Sequence, residues 1–312
     1  MLFIIIGAVL LYVGAEGLVR GSASLATRLG ISPLVAGLTI VAFGTSAPEL
    51  SVSLSSALGG HPDIALGNVV GSNIFNIAVI LGIAALIKPL QIHLSVIRRD
   101  IPVMIASSAI AFALIVYGDV SRLAGIGLVL GLVLYLFSAI RSGKKEASNH
   151  TVSASIDAST LLSKHWWVDS VILVTGMGVL LVGSRLFVDG ATSLAQALGV
   201  SDAVIGLTIV AAGTGLPELA TSVVAALRRQ FDIAIGNVVG SNIFNVLCVL
   251  GVTATLSPIN ASGIELRDAS MMLILGILLL PFALTNLKIT RAEGGVLIGI
   301  YAVYLFLLWP KN

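Results

Sequence analysis

The chain has 312 residues, of which 57% are hydrophobic and only 10% are charged, whereas about 25% of the residues in a soluble domain are charged. This composition excludes a soluble globular domain and indicates an all-α integral membrane protein. The net charge of +2 is too small to favour nucleic-acid binding, and a single cysteine, Cys248, excludes an intramolecular disulfide.

Ten apolar segments follow one another along the chain, each long enough to cross a bilayer as a helix. One long polar stretch, 141–165, separates the first five segments from the last five, and its composition predicts a flexible linker. We therefore divide the chain into a first half, 1–140, and a second half, 166–312. The segments cover residues 1–20, 31–58, 63–87, 99–117, 121–140, 167–190, 201–227, 232–256, 267–285 and 292–309.

The basic residues predict how the chain is oriented. Thirteen of the 17 Lys and Arg residues lie in the loops that follow the odd-numbered segments, and four lie on the other side. Cytoplasmic loops carry the excess of Lys and Arg in membrane proteins. We expect a multi-pass protein of the cell (inner or plasma) membrane, with both termini outside the cytoplasm and the 141–165 linker inside it.

The two halves contain an internal repeat. A shift of 169 residues aligns 30–82 with 199–251 without a gap and gives 32 identities in 53 positions. Because each half has five spans, the second half enters the membrane from the opposite side. The sequence thus predicts two inverted five-helix repeats, an architecture typical of secondary transporters that bind their substrate near the bilayer midplane.

Each repeat places a glutamate inside an apolar segment, in the motifs Gly44-Thr45-Ser46-Ala47-Pro48-Glu49 and Gly213-Thr214-Gly215-Leu216-Pro217-Glu218. A charged residue at the bilayer centre costs roughly 2.5–3.5 kcal/mol, so two at matching positions predict a functional site. The proline removes a backbone donor and the glycine permits non-helical geometry. We expect the helices of the second and seventh segments to be broken here, with free carbonyls near Ala42–Thr45 and 211–217.

A second repeated motif lies on the following helix of each half. Asn68, Ser72 and Asn76 are spaced i, i+4, i+8 and share one helical face, and Asn237, Ser241 and Asn245 repeat the pattern. Polar residues at such spacing also serve helix packing, which is the role we expect of the first asparagine in each set. The ligand candidates are Ser72, Asn76, Ser241 and Asn245.

The predicted centre contains only oxygen ligands: two carboxylates, hydroxyls, amide oxygens and carbonyls. This set suits a hard cation, and Ca²⁺ better than Mg²⁺. Two ionised glutamates in a low dielectric repel each other, so protons, Na⁺ or a divalent cation must neutralise them. A site that must always be neutralised by one set of cations or another is typical of an exchanger.

Other classes of function are less compatible with the sequence. The GNVVGSN runs lack the lysine of a phosphate-binding loop, so we expect neither a nucleotide nor another cofactor. Ser46 has no neighbouring histidine or lysine to activate it as a nucleophile, so we do not expect an enzyme. A cation channel remains open as an alternative, because broken helices and inverted repeats also occur in channels.

The paired GT-x-x-PEL motifs, the paired GNVVGSNIFN runs and the five-plus-five layout resemble the Na⁺/Ca²⁺ exchanger branch of the Ca²⁺/cation antiporter superfamily. The short linker is similar to that of prokaryotic members. The resemblance implies exchange of Na⁺ for Ca²⁺ by alternating access, with segments 1 and 6 as the moving gate. It implies Ca²⁺ binding by Glu49, Glu218, Thr45 and Thr214, and Na⁺ or shared sites at Ala42, Ser46, Ser72, Asn76, Ala211, Ser241 and Asn245.

The chain departs from the family pattern at two positions. Gly215 stands where relatives have serine, so one Na⁺ site lacks a hydroxyl, and H⁺/Ca²⁺ antiport is the nearest alternative. Asn245 stands where some relatives have aspartate, which argues against K⁺ co-transport. The partners we expect are inorganic cations and the lipid bilayer, with no nucleic acid and no nucleotide, and the expected oligomeric state is a monomer.

Overall fold

The computed structural model describes residues 1–150, 162, 165–199, 211–261, 264–285 and 287–308. Eight of its helices are each long and apolar enough to cross a membrane, and a bent pair, α2 and α3, adds a ninth candidate span in this part of the chain. The helices are α1 Leu2–Leu29, α2 Pro33–Thr45, α3 Ala47–Leu58, α4 Pro62–Ile87, α5 Val96–Tyr117, α6 Arg122–His150, α7 Trp166–Ala197, α8 Leu216–Leu227, α9 Phe231–Leu256, α10 Leu266–Leu284 and α11 Arg291–Leu308.

The predicted seventh segment, 201–227, is described only in part. Its second half is the apolar helix α8, preceded by the short helical turn Ala211–Gly213, and residues 201–210 lie outside the described part. A count of ten spans therefore stays a prediction. Helix α6 continues to His150, into the predicted linker, and most of the rest of that linker also lies outside the described residues.

The 169-residue shift also relates the secondary structure of the two halves. The α-helical part of α4, Pro62–Phe75, and its π-helical part, Asn76–Leu81, match the parts Phe231–Phe244 and Asn245–Leu250 of α9. Two short antiparallel ribbons follow the same rule: β1 (Leu90–Gln91) pairs with β4 (Lys288–Ile289), and β2 (Asp119–Val120) pairs with β3 (Ile259–Asn260). The shift converts β1 into β3 and β2 into β4.

The described chain forms two compact units, and each takes elements from both predicted repeats. The first unit comprises Met1–Pro48 and Leu134–Asn237. Its framework is the pair α1 and α7, which pack closely through glycines spaced seven residues apart. A Cβ atom added to any of these glycines would meet the backbone or Cβ atom of the facing helix. They are Gly7, Gly14 and Gly21 on α1, and Gly176, Gly183 and Gly190 on α7.

Ion pairs join the helices of the first unit. Asp169, in the first turn of α7, is fully buried and accepts hydrogen bonds from Arg28 and Ser24 of α1. Glu16 of α1 pairs with Arg20 one turn later, as its i, i+4 spacing predicts, and also with Arg228 at the end of α8. These contacts tie α1 to α7 and to the helix that carries Glu218.

The second unit comprises Glu49–Val133 and Val238–Asn312, and its contacts are reciprocal between the repeats. Gly82 of α4 packs against Gly294 of α11, and Gly251 of α9 packs against Gly125 of α6. The 169-residue shift converts one glycine pair into the other, as it does for the two ribbons. A reciprocal exchange of this kind is what a two-fold relation between two copies of one motif produces.

Candidate cation site

The first glutamate motif interrupts its helix at a single residue. Ser46, with φ −83° and ψ 7°, separates α2 from α3, and the two helices are bent by 43°. Pro48 has no N–H, so it cannot continue the helical hydrogen-bond pattern back to Gly44. This is the break that we predicted for helix 2, but the carbonyl of Ala42 is not free, because it accepts hydrogen bonds from the Ser46 N–H (3.0 Å) and the Thr45 hydroxyl (3.3 Å).

The second glutamate motif has the same order of parts. Thr214 and Gly215 form a turn after Ala211–Gly213, and α8 begins at Leu216. Each glutamate lies in the first turn of the helix that follows its break, where the N-terminal helix dipole favours a negative charge. The break therefore places both glutamates at the same position relative to a helix N-terminus.

In the first unit, the hydroxyls of the first motif are brought to the second glutamate. The Ser46 hydroxyl donates a hydrogen bond to Oε1 of Glu218 (3.0 Å). Oε2 of the same carboxylate is buried and has no hydrogen-bond partner among the described residues. The side chain is 1% exposed, and the Ser46 hydroxyl that contacts it is uncharged, so the charge of the carboxylate is left for a cation or proton to neutralise.

Asn237 joins the two motifs in the same unit. Its Oδ1 accepts a hydrogen bond from the Thr45 hydroxyl (3.1 Å), and its Nδ2 donates to the backbone carbonyl of Glu218 (3.2 Å) and to Ser222 (2.9 Å). The residue is fully buried. The structure thus gives Asn237 a positioning role at the glutamate motif beyond the helix packing that the sequence predicts.

The second unit repeats half of this arrangement around Glu49. Nδ2 of Asn68 donates to the backbone carbonyl of Glu49 (3.1 Å) and to the hydroxyl of Ser53 (2.9 Å). The 169-residue shift converts Asn68, Glu49 and Ser53 into the Asn237, Glu218 and Ser222 of the first unit. Identity at the same place in both repeats was the sequence signal for this pair of asparagines, and only the hydrogen bonds assign them to the glutamate motifs.

The other predicted ligands of the second unit lie on α4 and α9. Ser72 is half-buried and Asn76 is buried, whereas Ser241 and Asn245 are fully buried. The Ser241 hydroxyl and Oδ1 of Asn245 have no hydrogen-bond partner among the described residues. Asn76 and Asn245 each begin a π-helical segment, a distortion that is frequent at functional sites.

Two further predicted ligands lie in the second motif. Thr214 is half-buried in the turn before α8. The backbone of Ala211 starts the helical turn before that break, and its side chain lies outside the described part. The contacts of the first unit therefore bring together Thr45, Ser46 and Glu218. In the second unit, separate hydrogen bonds hold the backbone of Glu49 and the side chain of Asn245.

Comparison with known proteins identifies relatives over nearly the whole chain. The family model described as sodium/calcium exchanger protein matches residues 1–141 and 169–309. The inner membrane protein YrbG of Escherichia coli is 36% identical, over 98% of this chain and 95% of its own. The sodium/calcium exchanger MaX1 of Methanosarcina acetivorans is 31% identical, over 99% and 98%. A solved structure of the sodium-calcium exchanger NCX_Mj has 32% identity and a TM-score of 0.84, over 97% and 96%.

Proposed function

The chain belongs to the sodium/calcium exchanger family, a family of multi-pass membrane transporters, and from that premise we propose that it exchanges Na⁺ for Ca²⁺ by alternating access. The observation that carries the proposal is the buried Glu218 carboxylate, which has a hydroxyl donor on one oxygen and no described partner on the other. A buried carboxylate without a cationic partner is costly unless an ion or proton neutralises it, which is what a cation-exchange cycle supplies.

We assign the ions to residues from the two repeated motifs. Ca²⁺ prefers carboxylate and carbonyl oxygens, so Glu49, Glu218, Thr45 and Thr214 are the proposed Ca²⁺ ligands. The neutral oxygens are proposed for Na⁺ or for shared use. They are those of Ala42, Ser46, Ser72, Asn76, Ala211, Ser241 and Asn245.

We place the chain in the cell membrane with ten spans in two inverted repeats, both termini outside and the 141–165 linker in the cytoplasm. Three observations support this topology: the basic residues of the loops, the nine candidate spans in the described part with α8 in addition, and the reciprocal pairing of β1–β4 with β2–β3. The expected oligomeric state is a monomer.

H⁺/Ca²⁺ antiport is the second candidate, and one specific observation favours it. The repeat equivalent of Ser46 is Gly215, which has no side chain, so the second motif lacks the hydroxyl that the first motif gives to a glutamate. A carboxylate can bind a proton with fewer ligands than Na⁺ requires. Ser46 itself favours Na⁺, because a hydroxyl oxygen is a suitable Na⁺ ligand.

Ion flux in proteoliposomes tests the proposal. Vesicles loaded with Na⁺ are diluted into Na⁺-free buffer and Ca²⁺ uptake is followed, with K⁺ added or with a pH gradient in place of the Na⁺ gradient. We expect uphill Ca²⁺ uptake that requires the Na⁺ gradient, is abolished by a Na⁺ ionophore and does not need K⁺. Uptake driven only by the pH gradient would establish the H⁺ alternative, and uptake that never exceeds equilibrium would indicate a channel.

The two glutamates provide the matched variants. Glu49→Gln and Glu218→Gln keep the size of the side chain but remove the charge that Ca²⁺ requires. We therefore expect each to reduce Na⁺-driven Ca²⁺ uptake to the level of Na⁺-loaded vesicles that contain no protein. Asp63→Asn, a carboxylate outside both motifs on a partly exposed helix start, is the control and should transport normally. Transport at the normal rate in either glutamine variant would refute the assignment of Ca²⁺ ligands.

A further inference from the structure

Asn73 and its repeat equivalent Asn242 lie outside the set of proposed cation ligands. Each follows a candidate serine, Ser72 on α4 and Ser241 on α9, and both asparagines are almost completely buried, at 0% and 1% exposure. They belong to the same compact unit and have the same place in their repeats. Their side chains nevertheless make different hydrogen bonds, and this difference separates a positioning residue from a packing residue.

The side-chain amide of Asn73 has one stable orientation. Its Nδ2 lies 3.4 Å from the backbone carbonyl of Asn242 and 3.6 Å from Sδ of Met272. Both of these groups only accept hydrogen bonds. Rotating the amide by half a turn would place Oδ1 against two acceptors, so the side-chain nitrogen must face them.

The orientation of Asn73 determines the orientation of Asn245. Oδ1 of Asn73 lies 3.1 Å from Nδ2 of Asn245. Because this oxygen can only accept, Asn245 must present its nitrogen to Asn73 and its own Oδ1 elsewhere. That Oδ1 is buried without a partner among the described residues, as is the hydroxyl of Ser241 one turn earlier on α9.

We infer that Asn73 is a positioning residue for cation binding: the carbonyl of Asn242 orients Asn73, and Asn73 orients Asn245 so that its Oδ1 is available to a cation. This inference rests on the proposed function, because it gives the unpartnered oxygen of Asn245 an ion to bind. A buried carbonyl oxygen without a partner is costly, and a cation removes that cost. The residue acts through Asn245 and does not itself bind the ion.

Asn242 is the matched control. Its Nδ2 donates to the backbone carbonyl of Val238 in its own helix (2.7 Å), and its Oδ1, like that of Asn245, has no hydrogen-bond partner among the described residues. Unlike Asn73, its side chain makes no described hydrogen bond to a proposed ligand. Replacing either asparagine with leucine removes one buried amide from the same unit. Only Asn73→Leu also releases the amide of Asn245.

The test measures ion binding without requiring transport. The full chain in detergent is melted at increasing Na⁺ and, separately, increasing Ca²⁺, and the concentration that gives half of the stabilisation is recorded. We expect Asn73→Leu to raise that concentration about fivefold for at least one of the two ions, the effect of losing one neutral hydrogen bond. Asn242→Leu should change it less than about twofold by the same measure. Equal shifts in the two variants would overturn the inference.

A double substitution separates positioning from general stability. In an Asn245→Leu background the amide that Asn73 orients is gone, so adding Asn73→Leu should leave the half-stabilising concentration unchanged. A further loss equal to that of the single variant would show that Asn73 acts independently of Asn245. Should the leucine variants not fold, Asn73→Ser and Asn242→Ser replace the amide with a hydroxyl that can still form a hydrogen bond, and they allow the same comparison.

The comparison of the Asn73 and Asn242 variants does not depend on which ion drives transport. If the wild-type chain shows no Na⁺-driven uptake, the proposed Na⁺ coupling fails, and the comparison between Asn73 and Asn242 variants is still decided by Ca²⁺ binding. If Na⁺-driven uptake is present but the two variants behave alike, the exchanger stands and the positioning role of Asn73 is refuted.

Discussion

At the level of single residues, Glu218 of the second motif accepts a hydrogen bond from Ser46 of the first motif. The Ser46 hydroxyl stabilises one carboxylate oxygen without neutralising its charge, so the carboxylate can still serve as the proposed cation ligand. The repeat equivalent of Ser46 is Gly215, which offers no such donor. The two glutamate motifs are therefore alike in their carboxylates and different in their hydroxyls, and this difference can be tested from both sides.

We expect Ser46→Ala to raise the half-saturating Na⁺ concentration of exchange by about tenfold, the effect of losing one hydrogen bond to a charged group. The half-saturating Ca²⁺ concentration should change less, because the carboxylates remain. Gly215→Ser is the reciprocal variant: φ −81° and ψ −1° at this position are accessible to any L-residue, and the added hydroxyl should lower the Na⁺ requirement. Flux assays that show the same Na⁺ dependence in all three proteins would exclude a role for these hydroxyls.

The asparagines that support the motifs should differ in importance. Asn237 is fully buried and bonds Thr45, Ser222 and the Glu218 carbonyl, whereas Asn68 is half-buried. We expect Asn237→Ala to destabilise the protein by about 1–3 kcal/mol, because buried polar groups lose their partners, and to weaken stabilisation by Ca²⁺.

The matched variant is Asn68→Ala, which should lower the melting temperature less, since water can replace part of its hydrogen bonding. Thermal unfolding in detergent, with and without Ca²⁺, measures both effects. A larger loss in Asn68→Ala than in Asn237→Ala would contradict the role given to Asn237.

At the level of elements, α1 and α7 are joined along their length by glycines every seven residues, close to two helical turns. A seven-residue spacing keeps the small residues on one face, and small residues allow two backbones to approach closely in a membrane. The same pair is tied at one end by Arg28 and the buried Asp169. These contacts favour movement of α1 and α7 as a single body, which is the form that the proposed gate requires.

Substitution of the interfacial glycines tests that close packing. Gly14→Leu and Gly183→Leu place a side chain against the backbone of the facing helix, and overpacking of this kind costs about 1–3 kcal/mol or more. Gly178→Leu is the control on α7, because a Cβ atom there meets nothing within 4 Å. We expect low yield or a lowered melting temperature for the first two variants and normal behaviour for the third. Equal stability of all three would mean that the glycine contacts are unimportant.

The breaks in the helices were predictable from proline and glycine, but their extent was not. The proline and glycine of each motif correctly predict an interruption beside each glutamate. It did not predict that Ser46 alone would separate α2 from α3, or that the Ala42 carbonyl would keep two hydrogen bonds. The rule that proline removes a donor is local, whereas the groups that take over a released carbonyl depend on dihedral angles that no residue pattern encodes.

At the level of the whole molecule, the family and the all-helical membrane class were predictable because the repeated motifs and the apolar segments are long and strong signals. The 169-residue shift also held for the π-helical parts of α4 and α9. The two compact units, which each combine parts of both repeats, could not be predicted, because they arise from tertiary packing rather than from chain order. The two-residue strands are too short to leave a sequence pattern. The amide contacts of Asn73 and Asn237 join residues that are too far apart in the sequence to leave one.

The reciprocal contacts predict how the chain behaves when it is divided. Strand β1 of the first half pairs with β4 of the second, and Gly82 packs against Gly294, so each half lacks its partner surfaces when alone. We expect 1–150 or 166–312 expressed singly to be unstable, and the two co-expressed to restore a complex with Ca²⁺ exchange. Co-purification and flux assays measure this. A stable, monodisperse single half would show that the exchanged contacts contribute little.

The reciprocity of these contacts has an evolutionary consequence. A chain that carried this repeat once could form the same pairs, strand to strand and glycine to glycine, with a second identical copy. Every substitution in such a chain would change both copies at once. In a single chain each copy can mutate separately. The first motif has Ser46 beside a carboxylate and the second has Gly215 at the equivalent position, a difference that two identical copies could not have.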